Sequence, residues 1–401
     1  MLTIDRVYDA RNVLKKVIRK TDIMPAFSLG SNNHIYLKPE NLQMTGSFKI
    51  RGAYYKISKL TDEEKAAGII ASSAGNHAQG VSLSAQRAGI KCTICMPDGA
   101  PISKVEATKN HGAEVVLVEG AYDDSYAKAM ELCKENGYTF IHPYDDEDVI
   151  AGQGTIALEI LEQLDNVDAI VVPIGGGGLI SGIAFTAKSL KPSIKIYGVQ
   201  AANAASMYES VKQDKQLTLD TVNTFADGIA VKHPGDNTFE LVKKYVDEII
   251  TVSEDEIAAA ILRLMEKQRV VAEGAGAVSV AAAMFNKLPI EDKNVVCVVS
   301  GGNIDVNIID RVMTRGLLLT GRKTSFTIAL TDKPGQLLGV SQIISKNGGN
   351  VVAIDYDNGD PEMAITSCFL KITVETRNHD HIEQIKKDLA SHGFKVVRER
   401  V

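Results

Sequence analysis

Between residues 4 and 19, Ile4, Val7, Val13, Leu14, Val17 and Ile18 fall roughly on one helical stripe, which predicts an opening helix. Past Pro25, the run His34-Ile35-Tyr36-Leu37-Lys38 predicts a short strand. From there apolar runs of strand length alternate with helical patterns. Strands are expected at 68–72, 91–96, 114–118, 139–142, 169–174 and 195–200, with helices at 78–88, 102–111, 122–136, 153–164 and 179–190. Helices at 255–266 and 275–285 and a strand at 294–300 continue the rhythm. Apolar strands separated by helices imply an α/β fold, a parallel sheet covered on both faces.

The character then changes. Residues 304–319 read as helical, and Thr320-Gly321-Arg322-Lys323 as a linker. Strands follow at 325–330, 350–356, 364–373 and 395–398, with helices at 335–347 and 381–392. That βαββαβ order predicts a ferredoxin-like module over residues 325–401, separate from residues 1–320.

Composition narrows the partners. The chain has 401 residues, enough for two or three domains without staples. A net charge of −6, with basic residues interleaved among acids, argues against nucleic acid or an anionic membrane surface. Five cysteines suggest a reducing, cytoplasmic setting. Cys92 and Cys95 have CxxC spacing, but on the expected strand they point to opposite faces and suit core packing better than a metal or disulfide. The N-terminal residues lack the layout of a signal peptide. The uncharged stretch 169–187 approaches membrane-span length, yet four central glycines make a buried strand, loop and helix the better reading.

Four local patterns carry chemistry. Lys49 lies in Thr45-Gly46-Ser47-Phe48-Lys49-Ile50-Arg51-Gly52-Ala53. Ser47 is expected to cap a helix from Phe48, so that the dipole at its start disfavours a charged Lys49 and yields the neutral amine that condenses with an aldehyde. Alone, the motif is better explained by a surface lysine near a helix start. Gly175-Gly176-Gly177-Gly178-Leu179 follows an apolar strand and opens a helix, an arrangement whose amides cradle a phosphate. A dinucleotide site fits less well, because residue 180 is isoleucine and the next strand ends at Val199-Gln200 without a carboxylate. Ser72-Ser73-Ala74-Gly75-Asn76-His77 repeats the strand-to-helix logic and offers amides and hydroxyls to a substrate carboxylate. His77 is read there as packing or hydrogen bonding rather than as a general base. Ser300 ends an apolar strand, where α/β sheets bind ligands. Together an amine, a phosphate cradle and a hydroxyl for a ring nitrogen point to pyridoxal 5′-phosphate.

With Tyr36-Leu37-Lys38-Pro39-Glu40-Asn41-Leu42-Gln43-Met44 leading into the lysine motif, and with Ala78-Gln79-Gly80 closing the asparagine loop, residues 1–320 resemble the threonine ammonia-lyases (threonine dehydratases). These are carbon–nitrogen lyases of fold type II, the tryptophan synthase β-like pyridoxal-phosphate fold. The resemblance implies two parallel-sheet subdomains, with about 50–145 forming the smaller one. It implies that Lys49 carries the cofactor beside Phe48, that Gly175–Gly178 and Leu179 bind its phosphate, Asn76 its O3′ and Ser300 its pyridine nitrogen. Ser72, Ser73, Ala74, Gly75, Asn76 and His77 would line the amino-acid substrate. The implied reaction converts L-threonine to 2-oxobutanoate and ammonia, and L-serine to pyruvate. Serine racemases, the near relatives, carry a serine where this chain has Ala74, which favours elimination. No metal site is expected, since Asn223 and Asp227 make no carboxylate pair.

Residues 325–401 resemble an ACT domain through Asp332-Lys333-Pro334-Gly335-Gln336-Leu337-Leu338. That resemblance implies a homodimer or homotetramer and an isoleucine or valine effector at Gly335, Gln336, Leu337, Leu338, Asn347 and Asn350. A biosynthetic enzyme under feedback is the expectation, with a catabolic dehydratase, a racemase-like enzyme or an inactive amino-acid sensor as alternatives.

Overall fold

The computed structural model describes residues 2–357 and 366–400. The chain divides into two compact units, Met1–Asp305 and Val306–Val401. Strands β1 (Met24–Pro25) and β2 (His34–Pro39) begin the larger sheet of the first unit. Strands β3 (Ile69–Ser72), β4 (Cys92–Pro97), β5 (Glu114–Val118) and β6 (Thr139–Phe140) form a separate sheet in the order β5-β4-β3-β6. Strands β7 (Ala169–Pro173), β8 (Lys195–Ala201), β9 (Glu248–Val252) and β10 (Asn294–Val299) complete the larger one in the order β1-β2-β10-β7-β8-β9. All pairings are parallel except β1 with β2.

Every residue of β7 and all but the first of β10 are buried, which is why both read as unbroken apolar runs. The uncharged stretch from Ala169 is thus β7, a glycine loop and the buried helix Gly178–Leu190. Among the described residues no helix is long and apolar enough to cross a membrane. Cys92 and Cys95 are free thiols buried in β4, and burial pushes them up to about 12 and 11.

A buried ionic cluster fixes the helix that begins at Lys49. On that helix, Lys49–Ser58, Arg51 reaches Glu40 at 2.8 Å and Glu159 at 2.7 Å. Lys38 of β2 joins Glu159 at 2.6 Å. Two cations against two anions leave no net charge inside. The guanidinium and the amine cross-link β2 and the helices Lys49–Ser58 and Glu147–Gln163.

In the second unit β11 (Lys323–Thr331), β12 (Asn350–Asp357), β13 (Ser367–Glu375) and β14 (Lys395–Arg400) pair antiparallel in the order β12-β13-β11-β14. Helices Gln336–Lys346 and His379–Ser391 bury Ile344, Ile385 and Leu389 against Phe326, Ile328, Leu370 and Ile372, giving the expected βαββαβ order. The helix Val306–Leu319 groups with this unit.

Several expectations need correction. The opening helix stops at Leu14, and the helix expected from 153 starts at Glu147, where Asp146 caps it. Helix Asp236–Tyr245 and strand β9 were not anticipated, being a short amphipathic segment and a five-residue run. Helix Glu254–Arg263 gives way to a π turn at Leu264–Gln268. The expected start of a strand at 364 lies outside the described residues.

Candidate active site

Lys49 is the first residue of its helix, but Ser47 does not cap it. The Ser47 backbone instead bridges to Gly301, Phe48 N–H donates to Ser300 O at 3.1 Å, and the buried Ser47 hydroxyl has no partner. This tertiary pairing places Lys49 beside the C-terminal end of β10. Its Nζ donates to Pro143 O at 2.7 Å and lies 5.4 Å from the Phe48 ring centre. Loss of water around the amine pushes it down to about 8, against an opposing pull from Glu273. Desolvation therefore enlarges the neutral, nucleophilic share of the amine, the effect that the sequence reading ascribed to the helix dipole.

Phe48 and Lys49, Ser72 through His77, Gly175 through Leu179, and Ser300 all line one cavity of about 590 Å³. The residues singled out from the sequence of the first unit thus converge. The glycine loop turns into its helix through Gly177, whose φ of +96° favours glycine. Thr238 holds the loop by donating to Gly176 O at 2.6 Å. A Cβ at Gly176 would come within 2.5 Å of the Tyr144 ring, and one at Gly178 within 2.7 Å of Tyr144 O. Only glycine lets this backbone lie so close to its neighbour and keep its amides open toward the cavity.

The asparagine loop is organised differently. Ser72 Oγ shares a 3.0 Å hydrogen bond with Ser125 Oγ, and Ser73 Oγ accepts from Gly75 N–H at 3.1 Å. No side chain caps helix Asn76–Ala88, so its first-turn amides remain available to an anion. His77 Nε2 bonds Ile141 O at 2.8 Å, and burial pushes this histidine down to about 3, with Lys49 adding to the effect. It is neutral at physiological pH and serves packing and hydrogen bonding. Ser300 Oγ donates weakly to Ala275 O at 3.3 Å.

Glu273, Tyr144 and Lys104 line the same cavity and escaped the sequence reading, and Asp227, noted there only as lacking a carboxylate partner, joins them. Burial first, and Asp227 second, push Glu273 up to about 7. Asp227 pairs with Lys104. A lone acid in Val270-Val271-Ala272-Glu273-Gly274-Ala275 was the available signal for Glu273.

In the second unit Gly335, with φ of +91°, precedes helix Gln336–Lys346, and Leu338 is exposed. Leu337 packs at the edge of the unit's core. Asn347 caps that helix and donates to Asp388 at 2.8 Å, while Asn350 donates to Glu375 at 2.8 Å.

A parallel-sheet α/β enzyme with a desolvated lysine facing a glycine phosphate cradle is the class that this fold and cavity define. Residues 14–301 match the family described as pyridoxal-phosphate dependent enzyme, and the chain belongs to it. The L-threonine ammonia-lyase of Thermotoga maritima is 48% identical over 398 residues, 99% of each chain. A catabolic L-threonine dehydratase of Staphylococcus aureus is 48% identical over 323 residues, 79% of this chain and 93% of its own. Threonine deaminase isoform 2 of Solanum lycopersicum, in its processed form, superposes with a TM-score of 0.75 at 38% identity, covering 78% of this chain and 88% of its own. Maize serine racemase gives 0.74 at 35% identity, covering 79% and 98%. The cavity fits the family's cofactor: an amine whose proton is loosened by burial for the aldehyde, a glycine loop packed too closely on its neighbours to admit a Cβ, and the Ser300 hydroxyl at the end of β10.

Proposed function

We propose that the protein is an L-threonine ammonia-lyase, producing 2-oxobutanoate and ammonia, and that it also converts L-serine to pyruvate. The observation that carries this reading is the convergence of Lys49, the glycine loop, the uncapped start of helix Asn76–Ala88 and Ser300 on one cavity. When bound, pyridoxal phosphate supplies an electron sink that acidifies the substrate Cα–H. In our reading the Gly175–Gly178 and Leu179 amides hold its phosphate, Asn76 faces O3′, Ser300 faces the ring nitrogen and Phe48 flanks it. The amides from Ser73 to His77, with Ser72 behind them, orient the substrate carboxylate.

Lys49 acts twice: its amine anchors the cofactor, and once the substrate amine has taken that place it removes the Cα proton. Loss of that proton and of the β-hydroxyl expels water. Hydrolysis of the released enamine returns it, so threonine is balanced by 2-oxobutanoate and ammonia. Ala74, which carries no titratable proton, lines the cavity where a racemase needs a second acid–base group, and this favours elimination. Incubating the purified protein with L-threonine, L-serine and D-serine tests the reading. Equal ketoacid and ammonia from the first two support it; racemisation of serine without ketoacid contradicts it.

For the division of labour we infer a catalytic part at 1–320, with about 50–145 as its smaller lobe, and an ACT-like regulatory part at 325–401. Isoleucine is the effector that closes a feedback loop on a biosynthetic dehydratase, with valine opposing it. The Gly335–Leu338 amides would receive its carboxylate at a subunit interface in a homodimer or homotetramer, near Asn347 and Asn350. A catabolic role is the second reading, favoured by the name of the Staphylococcus relative.

A further inference from the structure

The Asn76 carboxamide is held from both ends by residues far away in sequence. Asn303 Nδ2 donates to Thr45 O at 2.7 Å and to Asn76 Oδ1 at 2.7 Å. Asn76 Nδ2 in turn donates to Glu273 Oε1 at 2.7 Å. The polarity of this chain is fixed at its start. Thr45 O is a carbonyl and only accepts, so the Asn303 atom facing it is nitrogen. The second N–H of that nitrogen meets an acceptor, which must be the oxygen of Asn76, and the Asn76 nitrogen therefore faces the Glu273 carboxylate. A reversed Asn76 amide would set oxygen against oxygen at Glu273 and nitrogen against nitrogen at Asn303. With Oδ1 and one N–H committed, the other N–H of Asn76 is left for a group in the cavity that Asn76 lines.

The space around this chain is shaped for it. A Cβ at Gly46, which also has φ of +68°, would stand 2.2 Å from Asn303 Oδ1. One at Gly301 would stand 2.2 Å from Glu273 Oε1. Glu273 is 4% exposed, and an acid so buried is kept only where partners use it. Those facing it are Asn76, Lys104, Asp227, Lys49 and the Asn303 backbone amide.

We infer that Glu273 and Asn303 are positioning residues that lock the Asn76 carboxamide with one N–H directed into the cavity, as a donor to the phenolic oxygen of pyridoxal phosphate. This rests on the reading that Asn76 faces that oxygen. A donor there stabilises the phenolate, so the clamp influences both cofactor affinity and the pH at which the bound cofactor's visible spectrum changes.

The test uses the full-length holoenzyme and reads pyridoxal phosphate dissociation and spectral pH titration, beside circular dichroism. Asn303→Asp replaces the donor to Asn76 with an acceptor, and Glu273→Ala removes the opposite anchor. Each should weaken cofactor binding ~10-fold or more and move the spectral midpoint to higher pH, in line with loss of one charge-assisted hydrogen bond. Glu273→Gln still offers an acceptor oxygen and should recover most of both properties. Asn303→Ser, a smaller change, covers the case in which Asn303→Asp does not fold. The inference is overturned if a folded Asn303 variant keeps the parent midpoint and affinity, or if Glu273→Gln is as damaged as Glu273→Ala. Asn76→Ala separates the two layers. If it perturbs the spectrum while the Asn303 and Glu273 variants do not, the clamp is wrong; if it too leaves the spectrum unchanged, the placement of Asn76 against the cofactor falls and the clamp with it.

Discussion

The Lys49 amine donates a 2.7 Å hydrogen bond to the Pro143 carbonyl, and the next residue, Tyr144, packs against Gly176 and Gly178. The nucleophile and the phosphate cradle are thereby registered through one short segment between β6 and helix Glu147–Gln163. Cofactor capture should depend on the protonation of this amine. Below its value of about 8, the rate at which apoprotein takes up pyridoxal phosphate should rise about tenfold per pH unit, then level off. Stopped-flow absorbance from pH 6.5 to 9 (roughly bracketing that value) checks it. A profile still rising steeply past pH 9 would indicate an unperturbed lysine.

Gly178→Ala should damage the cradle. Its Cβ would sit 2.7 Å from Tyr144 O, a backbone atom with little freedom to retreat. Overpacking of this kind costs about 1–3 kcal/mol. Cofactor binding, measured by dialysis and absorbance, should therefore be ~5-fold to 150-fold weaker.

Arg51→Met should destabilise the first unit by about 3–5 kcal/mol, because Glu40 and Glu159 lose their shared cation inside the protein. Thermal unfolding followed by circular dichroism reads the loss. An unchanged transition would mean that water reaches the cluster.

His77 predicts an acid-sensitive contribution to stability. Its value is depressed to about 3, so the native state resists a proton that the unfolded chain accepts near pH 6.5. Native stability from this group is complete above about pH 6.5 and is lost at about 1.4 kcal/mol per unit as pH falls toward 3. Glu273, raised to about 7, works in the opposite sense, favouring the native state as pH falls from 7 toward its ordinary value. His77→Gln should therefore flatten the acid loss of stability, as read in urea melts at pH 7 and pH 5, while sparing the shape of the rate–pH profile.

Deleting residues 325–401 should leave threonine turnover and abolish any response to isoleucine. Initial rates with and without isoleucine, on full-length and shortened protein, check this. A response that survives deletion would place the effector in the first unit.

Much of the cavity was legible because its parts are local. Lys49, the glycine loop, Asn76 and Ser300 each sit where a strand ends or a helix begins, and those junctions show in the apolar pattern. What was illegible arises from contacts across the sequence. Glu273 meets Asn76 across 197 positions, and Tyr144 earns its place only by packing on glycines outside its own segment. Ser47 reads as a helix cap by local rules, yet pairing with Gly301 overrides them. Helix Asp236–Tyr245 and β9 were hidden because short elements give weak periodicity, and their assignment depends on neighbours such as β8.

In the proposed mechanism Lys49 is both anchor and base. The most direct measurement is threonine turnover by Lys49→Ala protein supplied with excess pyridoxal phosphate. Ketoacid formation should fall by ~1,000-fold or more, with the fold unchanged by circular dichroism. Turnover within about tenfold of the parent would contradict it, since removing a nucleophile and base together costs far more than that.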